Sequence, residues 1–218
     1  MRPIASYDIY IFDCDGVILD SNQLKIDAME KALLSMVTDV EKISQCVNYF
    51  RNNFGKSRFH HVDVFVEEIL ELEGNEKPSI KESILQGYSS QCKTLYLSAD
   101  LTPGFIEFIS GLQGKKYIAS GSEQQELRDV FKARNLASNF DDIFGSPAKK
   151  SDLVSNILEL NKQHNAIMFG DAISDLEAAN NSEIDFIGYL PFSNVRSKLE
   201  VLSIEHGYQT IDKWSEIL

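Results

Sequence analysis

Aspartates recur in a narrow pattern. Asp13 and Asp15 flank Cys14 directly before Gly16, and Asp171 follows Gly170, with Asp175 one helical turn further on. Carboxylates brought together repel one another unless a cation sits among them. A donor set of oxygens alone suits Mg2+, which prefers octahedral geometry and one or two carboxylates beside substrate oxygens. Two other groups complement such a centre. In Ser120-Gly121-Ser122 the Ser120 hydroxyl and the Gly121 N–H can take phosphate oxygens, the glycine allowing close approach. In Lys149-Lys150, Lys150 offers a point charge for a phosphate. Spacing alone leaves a second reading open, in which Asp13 and Asp15 form a turn and Asp171 caps a helix.

The elements that must position these groups follow from hydrophobic pattern. Residues 7–12 are β-rich and almost continuously apolar, as a buried strand is. Strands are also expected over 116–120, 142–144, 166–169 and 184–189. Helices are expected over 105–112, 123–134, 150–161, 174–180 and 193–202. Strand and helix in alternation give a parallel sheet covered on both faces. Each polar group above then follows the carboxyl end of a strand, where open parallel sheets bind ligands. From about Ser21 to Leu97 the pattern is helical throughout. Residues 62–72 carry helical spacing mixed with alternation, and Pro78 opens a further helix after the break at 74–77. This stretch is too long for a simple crossover, so it is a helical domain (21–97) inserted into an α/β domain (1–20 and 98–218).

The 218 residues carry 21 Lys+Arg against 33 Asp+Glu, a net charge of −12. Such a chain repels nucleic acid and anionic membranes, which are therefore not expected partners. An anionic substrate would need local positive charge from a metal or a few placed cations. The longest apolar runs are far shorter than the ~20 residues of a membrane-spanning helix, and residues 1–7 do not read as a signal peptide. Three widely spaced cysteines, Cys14, Cys46 and Cys92, form neither a disulfide framework nor a metal spacing, so a reduced, cytoplasmic protein is expected. Acidic neighbours disfavour a thiolate at Cys14.

The same residues resemble the motifs of the haloacid dehalogenase superfamily, in its phosphatase and phosphomutase branch. Phe12-Asp13-Cys14-Asp15-Gly16-Val17 with Asp20-Ser21 is similar to the first motif, Ile118-Ala119-Ser120-Gly121 to the second, Gly145-Ser146-Pro147 followed by Lys150 to the third, and Gly170-Asp171 with Asp175 to the fourth. Thr102-Pro103-Gly104 is also familiar ahead of the second. The resemblance implies a Rossmann-like parallel sheet core with an inserted helical cap domain, and a Mg2+-dependent phosphatase acting on a small phosphorylated metabolite such as a sugar phosphate or a phosphoglycolate-like acid. It implies Asp13 as nucleophile, forming an aspartyl-phosphate. It implies Asp15 as general acid and base. Asp13, the Asp15 carbonyl and Asp171 would hold the metal, with Asp175 orienting Lys150 or metal-bound water. Ser120, Gly121 and Lys150 would bind the transferring phosphoryl group, with Lys149 the rival lysine. A carboxylate at Asp15 favours phosphate esters over halides, because an alkoxide leaving group needs a proton. A phosphomutase of the β-phosphoglucomutase type and a non-catalytic interaction protein on the same scaffold are the alternatives, with a monomer or homodimer as the assembly.

Within the inserted helices, Gly55-Lys56-Ser57-Arg58-Phe59-His60-His61 concentrates basic residues in an acidic chain. One reading is a cap loop whose Lys56 or Arg58 pairs with a second anionic group on the substrate, Arg58 preferred for bidentate contact. The other is a solvated helix face. His60 and His61 are adjacent and so point to different sides, which disfavours a shared metal.

Overall fold

The computed structural model describes residues 2–162 and 165–217. Met1 and Leu218, the outer bounds of the expected α/β domain, lie outside the described residues. Among those described, six strands form one parallel sheet: β1 (Ile9–Phe12), β2 (Lys115–Glu123), β3 (Asp142–Ser146), β4 (Ala166–Gly170), β5 (Asp185–Tyr189) and β6 (Gln209–Ile211). Their order is β3-β2-β1-β4-β5-β6, every pair parallel. The order reverses beside β1, so the chain leaves β1 and β4 at a switch point, where an open α/β sheet forms its ligand crevice. Phe12 is in register with Ile118 on one side and Phe169 on the other, which brings the segments after β1, β2 and β4 side by side.

β1 sits at the centre because all four of its residues are apolar and both of its faces are covered. Ile9 and Ile11 pack on one face with Met168, Val154 and Ile157. Tyr10 and Phe12 pack on the other, where Phe12 stacks on Phe169 at 4.9 Å and meets Phe105, Phe108 and Trp214 edge-on. Trp214 is 1% exposed and its indole N–H donates to Thr102 Oγ1 at 3.2 Å.

Between β1 and β2 lie α1 (Asn22–Leu34), α2 (Val40–Asn52), α3 (Arg58–Val64) and α4 (Lys77–Ser98), then α5 (Phe105–Gly111). The expected helix over 62–72 divides: α3 ends at Val64 and a π-helical turn, Phe65–Ile69, follows. Two connections carry the chain into and out of α1–α4, and they are bonded to each other. Asp20 N–H donates to Asp100 O (2.9 Å), Thr102 N–H to Ile18 O (2.9 Å), and Thr102 Oγ1 to Val17 O (2.6 Å). After β2 come α6 (Gln124–Ala133), α7 (Lys150–Asn161), α8 (Ile173–Asn181) and α9 (Arg196–Glu205). No helix among the described residues is long and apolar enough to cross a membrane.

Candidate active site

Asp13 continues the ladder past β1, its N–H donating to Phe169 O at 2.9 Å, and this sets it against Gly170-Asp171. Lys150 opens α7, and its Nζ lies 2.8 Å from Asp13 Oδ1 and also bonds Asp175 Oδ1. Asp175 Oδ2 accepts the N–H groups of Asp171 (3.1 Å) and Ala172 (3.0 Å), fixing the start of α8. Gly170 is obligatory here, because a Cβ on it would lie 2.2 Å from Asp175 Cβ. One carboxylate oxygen from each of Asp13, Asp171 and Asp175 falls within 4.8 Å of the others. All three residues are at most 2% exposed.

The electrostatics are those of a site short of positive charge. Burial, with Asp175 and Asp15 as negative neighbours, pushes Asp13 up to about 7 against the pull of Lys150. Burial and the charges of Asp13 and Asp175 push Asp171 well above the usual carboxylate range. Asp171 Oδ1 is a buried acceptor with no hydrogen-bond donor, and Asp13 Oδ1 meets only the Lys150 ammonium. Orphaned buried acceptors are costly unless positive charge meets them. Together with a donor set made of oxygens alone, they fit a hard divalent cation.

Asp15 faces a different set of groups. Oδ1 accepts from Ser21 Oγ (2.6 Å) and Tyr96 OH (2.9 Å), and Oδ2 accepts from Lys25 Nζ (2.8 Å) and Ser122 Oγ (2.9 Å). Despite burial, Lys25 and the hydroxyls of Ser21 and Ser122 hold Asp15 below the usual carboxylate range. Ser21 is the residue before α1, yet its hydroxyl caps nothing and is spent on Asp15. The sequence named Ser21 and Ser122 only as members of motifs, with no role, and did not point to Lys25 or Tyr96. Only the spacing of Lys25, one turn after Ser21 on the face of the apolar residues, could have raised it.

The other candidates separate. Lys150 is buried on Asp13, whereas Lys149 is exposed, so the structure brings the former to the carboxylates. Ser120 is fully buried within β2, which runs on past the expected end at 120, and its Oγ accepts from Ser122 N–H at 3.1 Å. Gly121 packs backbone to backbone on the loop before α3, and a Cβ there would lie 2.3 Å from Gly55 O. Lys56 is exposed and lines a 530 Å3 cleft with His60, Lys149 and Lys150.

Arg58 departs from both expectations. It is neither a free cation nor part of a solvated face, being 5% exposed. Its guanidinium makes two bonds to Glu126 of α6 (2.7 and 3.2 Å) and one to Ser89 (2.6 Å), over the Tyr88 ring. The reason is long-range: α3 packs on α4, which packs on α6, and the Arg58 side chain thereby reaches Glu126, 68 positions further along the chain. His60 bonds Tyr49 at the surface, whereas His61 is buried against Phe50 and pushed down to about 3 by burial, so the two share no ligand. Removing one partner of a buried ion pair strands the other. Glu126→Ala should therefore lower stability by about 3 kcal/mol in chemical denaturation. A loss below ~1 kcal/mol would show that Arg58 rehydrates.

The family of haloacid dehalogenase-like hydrolases matches residues 10–189. Among solved structures, a haloacid dehalogenase-like family hydrolase from Streptococcus pneumoniae superposes with a TM-score of 0.71 at 19% identity, covering 97% of each chain. A predicted phosphoglycolate phosphatase from Haemophilus somnus gives 0.71 at 14% identity, covering 97% of this chain and 96% of that one. CbbY from Rhodobacter sphaeroides, in complex with phosphate, gives 0.72 at 16%, again over 97% and 96%. These similarities concern the fold. No curated protein sequence matches the chain.

Proposed function

The chain belongs to the haloacid dehalogenase-like hydrolases, and we propose that it is a Mg2+-dependent phosphatase that hydrolyses a small phosphorylated metabolite through an aspartyl-phosphate. The observation that carries this reading is Asp13: a buried carboxylate beyond the central strand, paired with Lys150 and adjoining Asp171, whose Oδ1 no donor occupies. Asp13 attacks phosphorus and the alkoxide departs. Lys150, Ser120 and the Gly121 N–H hold the phosphoryl oxygens, and Lys150 also screens Asp13 from the incoming anion. Asp15 gives the alkoxide its proton and then takes one from the water that cleaves the aspartyl-phosphate. All four of its donors stand in place here, so the arrangement suits the second step. For the first, Asp15 must be freed from Lys25 of α1 and Tyr96 of α4, which ties proton delivery to movement of those two side chains.

Asp13, the Asp15 carbonyl and Asp171 would hold Mg2+, with Asp175 keeping Lys150 in place. The ion would offset charge on the phosphoryl oxygens. Metal binding must displace the protons that Asp13 and Asp171 retain, and the sign follows. Both groups are raised in the folded protein, so the stability they confer without metal is complete below pH ~4, and the part that Asp13 confers is lost as pH rises through about 7. The gain in Tm on adding Mg2+ should thus grow from about pH 5 to about pH 8. A gain that is flat or falls over that range contradicts the metal assignment.

For the substrate, Lys56 is the cation of the loop left available to a second anionic group, and Arg58 serves only if that group exchanges with Glu126. A phosphoglycolate-like acid or a sugar phosphate fits these terms. The CbbY fold also occurs in complex with xylulose-(1,5)bisphosphate. The test is a panel of phosphate esters assayed with Mg2+ and after chelation. Release of inorganic phosphate that stops on chelation supports the reading, isomerised product points to the mutase, and silence across a broad panel to a non-catalytic protein.

A further inference from the structure

The residue that opens α1, Asn22, reaches the carboxylates although no motif includes it. It is 3% exposed. Its Nδ2 donates to Asp171 Oδ2 at 2.6 Å and to Phe192 O at 2.9 Å. Both partners are acceptors, so the orientation of the amide is fixed by its contacts. The backbone is shaped to admit the contact. Gly16 has φ +76°, and a Cβ on it would lie 2.3 Å from Asp171 Oδ2 and 2.5 Å from Asn22 Nδ2. A side chain at position 16 would therefore separate the pair. The consequence is that the two oxygens of Asp171 differ. Oδ2 is occupied by the amide, while Oδ1 has no donor, and Asn22 Oδ1 is a second buried acceptor without one.

We propose that Asn22 is a positioning residue of the cation site: its amide fixes the Asp171 carboxylate so that one oxygen is left free as a ligand. The inference rests on the metal reading above. It adds that α1, the first helix of the inserted segment, is fastened to the metal centre, because Asn22 is that helix's first residue and Ser21 beside it bonds Asp15. Cation binding and the seating of α1 are then one linked equilibrium. Partners that orient a ligating carboxylate are worth roughly 10–100-fold in metal affinity.

Isothermal titration of the full chain with MgCl2 tests this without turnover. Asn22→Ala should bind Mg2+ about 10–100-fold more weakly than the unsubstituted protein. Mg2+ should slow amide exchange in the first turn of α1 in the unsubstituted protein and not in Asn22→Ala. Equal affinity in the two proteins overturns the proposal while leaving the metal reading intact. Should Asn22→Ala fail to fold, the unsubstituted protein decides alone. The 15N side-chain amide signal of Asn22 should move during a Mg2+ titration with the calorimetric midpoint, and a signal that stays still to saturation overturns the proposal. Absence of Mg2+ binding by the unsubstituted protein overturns the metal reading and this inference together.

Discussion

Asp13→Asn is expected to lower turnover of any phosphate ester the protein accepts by about 10^4-fold or more, the scale on which a lost nucleophile is felt. The amide keeps the shape of the carboxyl and cannot form the acyl phosphate. The fold should survive. Asp13 is raised to about 7 by burial and by its acidic neighbours, so neutralising it removes repulsion from Asp175 and Asp15. Lys150 loses one contact and retains Asp175. Thermal unfolding without metal should then be unchanged or shifted upward, while the stabilisation by Mg2+ largely disappears. Substantial residual activity in Asp13→Asn would refute the nucleophile assignment.

Lys150→Met should combine the second largest loss of activity with a loss of stability. The ammonium is buried and sits between Asp13 and Asp175, both of which raise its proton affinity against the cost of burial. Methionine fills most of the volume and leaves two buried carboxylates without their shared counter-charge. The expected cost is about 3–5 kcal/mol in denaturant unfolding at neutral pH, in the range of broken buried pairs. It should shrink as pH falls through about 7, where Asp13 takes up its proton. Loss of one charge-stabilising donor to the transferring group lowers turnover by roughly 10^2–10^3-fold. A Lys150→Met protein with normal stability and full activity would mean that Lys149, exposed at the mouth of the cleft, supplies the charge instead.

Much of the centre was legible because its residues sit on local signals. The apolar run of β1 ends at Asp13, β4 ends at Gly170-Asp171, and Gly145-Ser146-Pro147 announces Lys150. These are consequences of strand termination, which a linear sequence records. Asn22, Tyr96 and Glu126 left no such trace. Each is an ordinary polar residue in a helical stretch, and each acquires its partner only when helices distant in sequence dock: Tyr96 meets Asp15 across 81 positions and Asn22 meets Asp171 across 149. Arg58 was conspicuous in an acidic chain, yet nothing local indicates that its charge is already spent on Glu126. β6 escaped for another reason. Three residues, Gln209–Ile211, with one buried side chain carry no periodicity, and pairing with β5 alone makes them a strand. Trp214 was legible as a core residue from its type, and it stacks on Phe108 and Tyr189.

The covalent step is the centre of the account, and trapping it is the most direct test. The protein is mixed with Mg2+ and a phosphate ester that it turns over, quenched in acid within the first turnovers, digested and mapped by mass spectrometry. A phosphoryl adduct, labile to hydroxylamine, is predicted on the peptide that carries Asp13, and none is predicted in Asp13→Asn. Continued turnover with that peptide unmodified at every quench time, or an adduct on another residue, would contradict it.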